Sequence, residues 1–342
     1  MSRGRVFLLL VCLSAPALAQ PVATIDGCAL FPPDNVWNAP VDRLPVDTLH
    51  SSDYVNSIGR FTGLHPDFGQ GLYQGGTIGI PYGSINDNST MVDVDFDPEA
   101  ASECDPGPYP LVGAPIEGEP VADGDRHILV VRGGTCRLYE TYASYPNGQG
   151  GCVNPGGWCA YSGAIFDLTS NALRPDGYTS GDAAGLPILE GLVRYDEIAA
   201  GEIRHALRFT ANETRKAHVW PARHDASDLT ALTYPPMGQR FRLKASVDIS
   251  GFSGDAQVIL RALKRYGMML ADNGGDWFLS GAPDNRFDND TLHDDFDQIH
   301  GSDFEAVDVT SLRIAADSGA SNHLFSDDFE RGTTASWNAH AP

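Results

Sequence analysis

Apolar residues in this chain come mostly in short runs, broken by glycine, proline and asparagine, and few of them carry helical spacing. Residues 91–96 (MVDVDF) alternate apolar and acidic side chains, the period-two pattern of a half-buried strand. Residues 128–131 (ILVV) form a continuous apolar strand. Residues 137–145 form a tyrosine-rich one, and Arg132-Gly133-Gly134 supplies the hairpin turn between them. Residues 164–168 make a further short strand. Residues 202–210 (EIRHALRFT) read as the clearest strand, with Ile203, His205, Leu207 and Phe209 on one face; residues 240–249 and 268–271 follow, the latter ahead of the turn pair Asn273-Gly274. Helical spacing is plain only over residues 253–266. There Ser253 is the N-cap, Val258, Ile259, Ala262, Leu263 and Tyr266 build one apolar face, and Gly267 is the stop. A shorter helix over 195–200 ends at Gly201. Residues 31–44 (FPPDNVWNAPVDRL) resist regular structure and predict a surface wrap anchored by Phe31 and Trp37. The order predicts a mainly β protein with a β-sandwich or jelly-roll-like core and a few short helices. No internal repeat, βαβ rhythm, dinucleotide glycine motif or phosphate loop interrupts it.

The N-terminus adds a location. Arg3 and Arg5 precede an apolar run, and the segment closes on Ala17-Leu18-Ala19, so residues 1–19 read as a secretory signal peptide. Residues 20–320 then form the globular β-rich region, with room for two subdomains, and 321–342 a flexible tail. No second long apolar run follows, so no membrane span is expected in the mature chain. The full chain has 45 acidic and 23 basic residues, a charge of -22; the signal holds two arginines and no acid, so the mature charge is -24. Such a surface repels phosphate backbones, which argues against a nucleic-acid partner. Cys12 leaves with the signal, and Cys28, Cys104, Cys136, Cys152 and Cys159 remain, an odd set in a disulfide-permissive compartment. Cys152 and Cys159 bracket the loop VNPGGW and are the first expected pair, and Cys104 with Cys136 is the second, leaving Cys28 over.

An extracellular acidic β protein points first to polysaccharide. Glycoside hydrolysis needs two carboxyls across a cleft, one protonated and one ionised. Glu140, in LYETYASY, is the candidate acid or nucleophile, and Asp272, in MLADNGG, its partner, with Asp167 as an alternative. His205 is a polar orienter, and Tyr139, Tyr142 and Trp220 are candidate sugar contacts. Trp37, Tyr139 and Trp220 serve as apolar contacts in a competing reading as a noncatalytic carbohydrate-binding or cell-surface protein. A third reading is a metal-dependent hydrolase: His205 and His218 would bind a divalent metal, with Glu140 or Asp272 as oxygen ligand, although no H-E-x-x-H is present. A uronate lyase would take His205 or His127 as base, Tyr195 as donor and Arg204 or Arg208 as neutraliser. Strand alternation puts His205 and the arginines on opposite faces, which weakens that arrangement. G-x-S-x-G is absent, so serine-hydrolase chemistry has no support.

Three segments, FPPDNVWNAPVDRLP, HALRF and YGMMLADNGG, are similar to a family of secreted bacterial proteins to which no activity is attached. The resemblance implies periplasmic or extracellular use and transfers no catalytic residue. Residues 325–337, with two phenylalanines set among acids and then a glycine and a tryptophan, resemble C-terminal tails of secreted bacterial proteins, which implies an export or surface-sorting address.

Overall fold

A computed structural model describes residues 24–121 and 124–324. The expected signal peptide and the segment 325–337 lie outside the described residues. The fold is mainly β, as the alternation predicts. A four-stranded sheet runs in the spatial order Ser162–Asp167, Arg137–Tyr142, Ile128–Arg132, Tyr82–Ile85, antiparallel except for its last pair. A six-stranded mixed sheet runs Phe304–Ala306, Arg240–Leu243, Met268–Asn273, Leu207–Ala211, Phe278–Ser280, His65–Asp67. Three strands, Tyr145–Pro146, Trp158–Ala160 and Val94–Phe96, form a smaller third sheet.

The unbroken ILVV run has a direct explanation. Leu129 and Val131 enter a core with Leu138, Phe166, Ile188 and Leu189, whereas Ile128 and Val130 enter another with Tyr109, Tyr139 and Trp158. Both faces of that strand are covered, so no polar alternation survives. The largest core lies under the six-stranded sheet. The helix Gly254–Arg265 begins where Ser253 Oγ accepts the Ala256 N–H and buries Ala256, Ile259, Leu260, Ala262 and Leu263 against Phe209, Phe241, Met268 and Leu270. The helix Tyr195–Ala200 ends on Gly201 at φ 86°, the left-handed cap expected of glycine.

Two differences from the sequence reading concern a strand start and a disulfide pairing. The 202–210 strand begins only at Leu207. Ile203 and His205 are buried as the alternation implies, but the Ala206 N–H donates to Trp37 O at 2.8 Å rather than to a neighbouring strand. Trp37 and Phe31 are thus anchors of the wrapping segment, as expected. The second disulfide is Cys28–Cys136, not Cys104–Cys136, and Cys104 is the free thiol. The short strand Cys28–Ala29 packs Cys28 into the same core as Leu138, while Cys104 ends a helical turn with its Sγ directed at Ala100 O. Cys152–Cys159 forms as predicted. The two bridges span 108 and 7 residues, so loop-closure entropy ranks them: roughly 5 kcal/mol for the long one and roughly 2–3 kcal/mol for the short. Urea titration of the Cys28→Ser/Cys136→Ser double variant is expected to give the larger drop in midpoint, compared with Cys152→Ser/Cys159→Ser.

Candidate functional site

The most unusual feature of the interior is a concentration of charge where the two large sheets meet. On the four-stranded sheet, residues 138, 140 and 142 share one face, and the register pairs Glu140 with Leu129. His127, two residues before Leu129, comes to that same side. On the six-stranded sheet, Leu207, Phe209 and Ala211 enter the large core, which turns Arg208 the opposite way. The short helix Ile188–Gly191 lies between the two. Gly191 permits its close approach, since a Cβ there would sit 2.7 Å from Arg208 Cβ.

Arg208 is the floor of this recess. Its Nη1 donates to Ser280 Oγ at 2.8 Å, and its Nη2 lies 3.5 Å from Asp272 Oδ2 and 3.9 Å from Asp182 Oδ2. Asp182 is buried; its Oδ1 accepts from Ser180 Oγ and from the Ala184 and Leu186 N–H groups. Its Oδ2, and Arg208 Nε, have no hydrogen-bond partner among the described residues. Burial holds the Asp182 carboxyl well above the usual aspartate range; Arg208 opposes this, and the like charges of Asp272 and Glu140 reinforce it. Burial also raises Asp272, against the pull of Arg208 and His127. The Asp272 side chain is 25% exposed, so it reaches the mouth of the recess.

The opposite wall is an ion pair. His127 Nδ1 and Glu117 Oε2 are 2.5 Å apart, and His127 Nε2 is 3.0 Å from Gly181 O. Burial alone would lower the His127 pKa, but the Glu117 carboxylate outweighs it and carries the group to about 9. Burial likewise disfavours the Glu117 carboxylate, yet His127 overrides it and the Glu117 pKa is lowered. His127 thus favours the Glu117 carboxylate, whereas burial favours the protonated forms of Asp182 and Asp272 more than in a free aspartate. Tyr142 sits beside this pair, its ring centroid 5.3 Å from that of His127, and its phenol feels the fields of Asp125, Asp272 and Glu117 together. Asp67, exposed at the end of the sheet-edge strand His65–Asp67, shares the fields of Glu117, Arg208 and Asp125.

No family model, curated protein or solved structure matches this chain, so the geometry alone carries the functional reading.

The residues singled out from sequence divide between this recess and other places. Asp272 and Tyr142 belong to it. Glu140 is next to it but sealed: it is 0% exposed, and its carboxylate accepts the Ile188 N–H at 3.0 and 2.9 Å and the Leu189 N–H at 3.0 Å. Burial raises its pKa to about 7 against those two donors. Its visible work is to hold the start of the helix Ile188–Gly191. Tyr139 faces the other side of the sheet, packed edge-on to Tyr109 at 5.7 Å. Trp220 is half-buried and donates from Nε1 to Ser318 O. Asp167 is on the far end of its strand, where it meets Arg137 and Thr169.

The two histidines of the expected metal site take different partners. His205 is buried with Arg194, Glu197 and Ala206 O; His218 lies between Asp176 and Asp225. Among the described residues, the group that could present a cation with ligands is instead Glu117, Asp125 and His127, with one donor atom each inside 4.8 Å of one another. Both His127 nitrogens already have partners, so a cation would have to displace the proton shared with Glu117. Of the lyase inventory, His127 and Arg208 do come together, but His127 is held as a cation and not as a base. Tyr195 lines a separate cavity of about 260 Å³ with Tyr82, Arg194 and Arg286. Asp67, Glu117 and Asp182 have no place in any candidate site read from sequence, and His127 and Arg208 enter only the lyase inventory.

Proposed function

We propose that this protein is a secreted enzyme that hydrolyses polysaccharide, with its reaction centre in the recess between Glu117 and Asp272. The observation that carries the reading is the opposite tuning of two carboxyls in one recess. Glu117 is held ionised by His127, whereas Asp272 is pushed toward its protonated form by burial. Environments that drive neighbouring carboxyls apart are how acid and base roles are divided at a glycosidic bond. Asp272 donates a proton to the leaving oxygen. Glu117 acts on the other side, as the carboxylate that accepts the proton of the attacking water or stabilises the cationic sugar. Arg208 Nη2, 3.5 Å from Asp272 Oδ2, holds that carboxyl from the floor of the recess. No helix among the described residues is long and apolar enough to cross a membrane, and the two disulfides suit an oxidising compartment.

The test is release of reducing ends from neutral, amino and uronate polysaccharides by the purified chain, with and without a chelator. Product formation that survives chelation is the expected result. No product from any polymer would sink the proposal. Loss on chelation, reversed by a divalent metal, would replace it with chemistry at a cation held by Glu117, Asp125 and His127.

A further inference from the structure

The recess does not end at Tyr142. The Tyr161 N–H donates to Tyr142 O at 2.8 Å, and the two rings stand edge to face with centroids 5.8 Å apart. Tyr161 is 38% exposed, so the aromatic line leaves the protein interior through it. In such a pair the ring that offers its edge keeps both faces for another partner. The parallel pairing of Ala160 with Phe96 brings Asp97 alongside, its N–H bonded to Ala160 O, and the charges of Glu99 and Asp97 both reach the Tyr161 phenol. Glu99 is exposed and Asp97 half-buried. The track therefore runs from the recess across Tyr142 to Tyr161, with acids on its flank.

Its charge is one-sided. Glu117, Asp125, Asp97 and Glu99 are four carboxylates set against the two cations Arg208 and His127, even when Asp182, Asp272 and Glu140 are counted as neutral. The whole chain, at -22, has the same sign. A polyuronate or sulfated chain would enter against this field, whereas an ammonium on a sugar ring would gain from both the carboxylates and the tyrosine faces. At the inner end, Asp182 Oδ2 is buried 3.9 Å from Arg208 Nη2 and has no hydrogen-bond partner among the described residues. It marks the recess as built to receive a polar ligand.

We infer that the Tyr142–Tyr161 track binds a glycan chain bearing free amines, a polymer of deacetylated amino sugars, and feeds it to the recess. The inference rests on the recess being the reaction centre, so binding is measured apart from turnover. The full chain carrying Asp272→Asn is titrated calorimetrically with glucosamine, N-acetylglucosamine and galacturonate oligomers of one length. Glucosamine oligomers are expected to bind most tightly and to weaken as salt is raised. Tyr161→Ala should weaken them about tenfold, the loss of one cation–π contact. Asp97→Asn and Glu99→Gln should weaken the amine-bearing oligomer and leave the acetylated one unchanged. Galacturonate binding as tight as glucosamine binding, or glucosamine binding indifferent to Tyr161→Ala and Asp97→Asn, overturns the inference. Binding that follows the expected pattern while the unmutated chain releases no product upholds it and removes the hydrolase reading instead.

Discussion

Asp272→Asn lowers turnover of a cleaved polysaccharide by about 10²–10⁴-fold, the usual worth of a positioned general acid, and Glu117→Gln does the same from the opposite wall. Asp272→Asn keeps size and shape at a partly exposed side chain, so its circular dichroism and urea midpoint should stay near those of the parent, whereas Glu117→Gln also strips the buried His127 cation of its partner and should lower the midpoint. The pH profile separates the two roles. Asp272 must hold its proton, and its folded pKa lies above the ordinary aspartate value, so activity falls as pH rises through that raised value. Glu117 must be ionised, and its folded pKa lies below the ordinary glutamate value, so activity falls as pH drops through that lowered value. Asp125 is one of the charges that raise Asp272. Asp125→Asn should therefore move the alkaline limb to lower pH. An alkaline limb that does not move would remove Asp272 from the role of proton donor.

How much of this was legible in the sequence depended on how local each signal was. The helix Gly254–Arg265 could be read because its cap, apolar face and stop all lie between Ser253 and Gly267. The helices Ser51–Ile58 and Asn289–Phe296 could not. The first buries only Tyr54, Val55 and Ile58 and the second only Leu292 and Phe296, too few apolar positions to set a period. The hairpin through Arg132-Gly133-Gly134 was visible for the same local reason as the long helix. The parallel pairs, 207–211 with 268–273 and 82–85 with 128–132, leave no local trace, because their partners are about 40 residues or more apart in sequence.

The recess is the extreme case. Asp67, Glu117, His127, Asp182, Arg208 and Asp272 each come from a different stretch of chain, and no spacing rule connects them. Acids are abundant enough that Glu140 was as good a choice as Glu117. What separates the two is only that Glu140 lies against the backbone of the Ile188–Gly191 helix, whereas Glu117 faces His127. Strand alternation does place Arg208 correctly, on the face opposite Leu207 and Phe209 and toward the recess, while His205, ahead of the strand, stays with Arg194 and Glu197.

The sheet that presents Arg208 and Asp272 is held from beneath by Trp277, and Trp277→Ala is expected to cost about 3–5 kcal/mol. Trp277 is fully buried, stacked on Phe209 at 5.4 Å and on Phe304 at 5.1 Å, with Phe241 edge-on at 5.6 Å. Its Nε1 donates to Gly59 O at 2.9 Å, and Gly301 leaves the space for it, since a Cβ there would lie 2.6 Å from that nitrogen. Its φ of 58° is unfavourable for any side chain and unrelieved by alanine, so the expected loss comes from the cavity and the lost ring contacts. Trp277→Phe retains a ring between Phe209 and Phe304 but removes the donor, leaving Gly59 O without it, a loss of about 1–3 kcal/mol. Urea titration of the two variants measures the difference. A clearly larger loss for alanine places the stabilisation in the aromatic stack, and equal losses would place it in the single bond to Gly59.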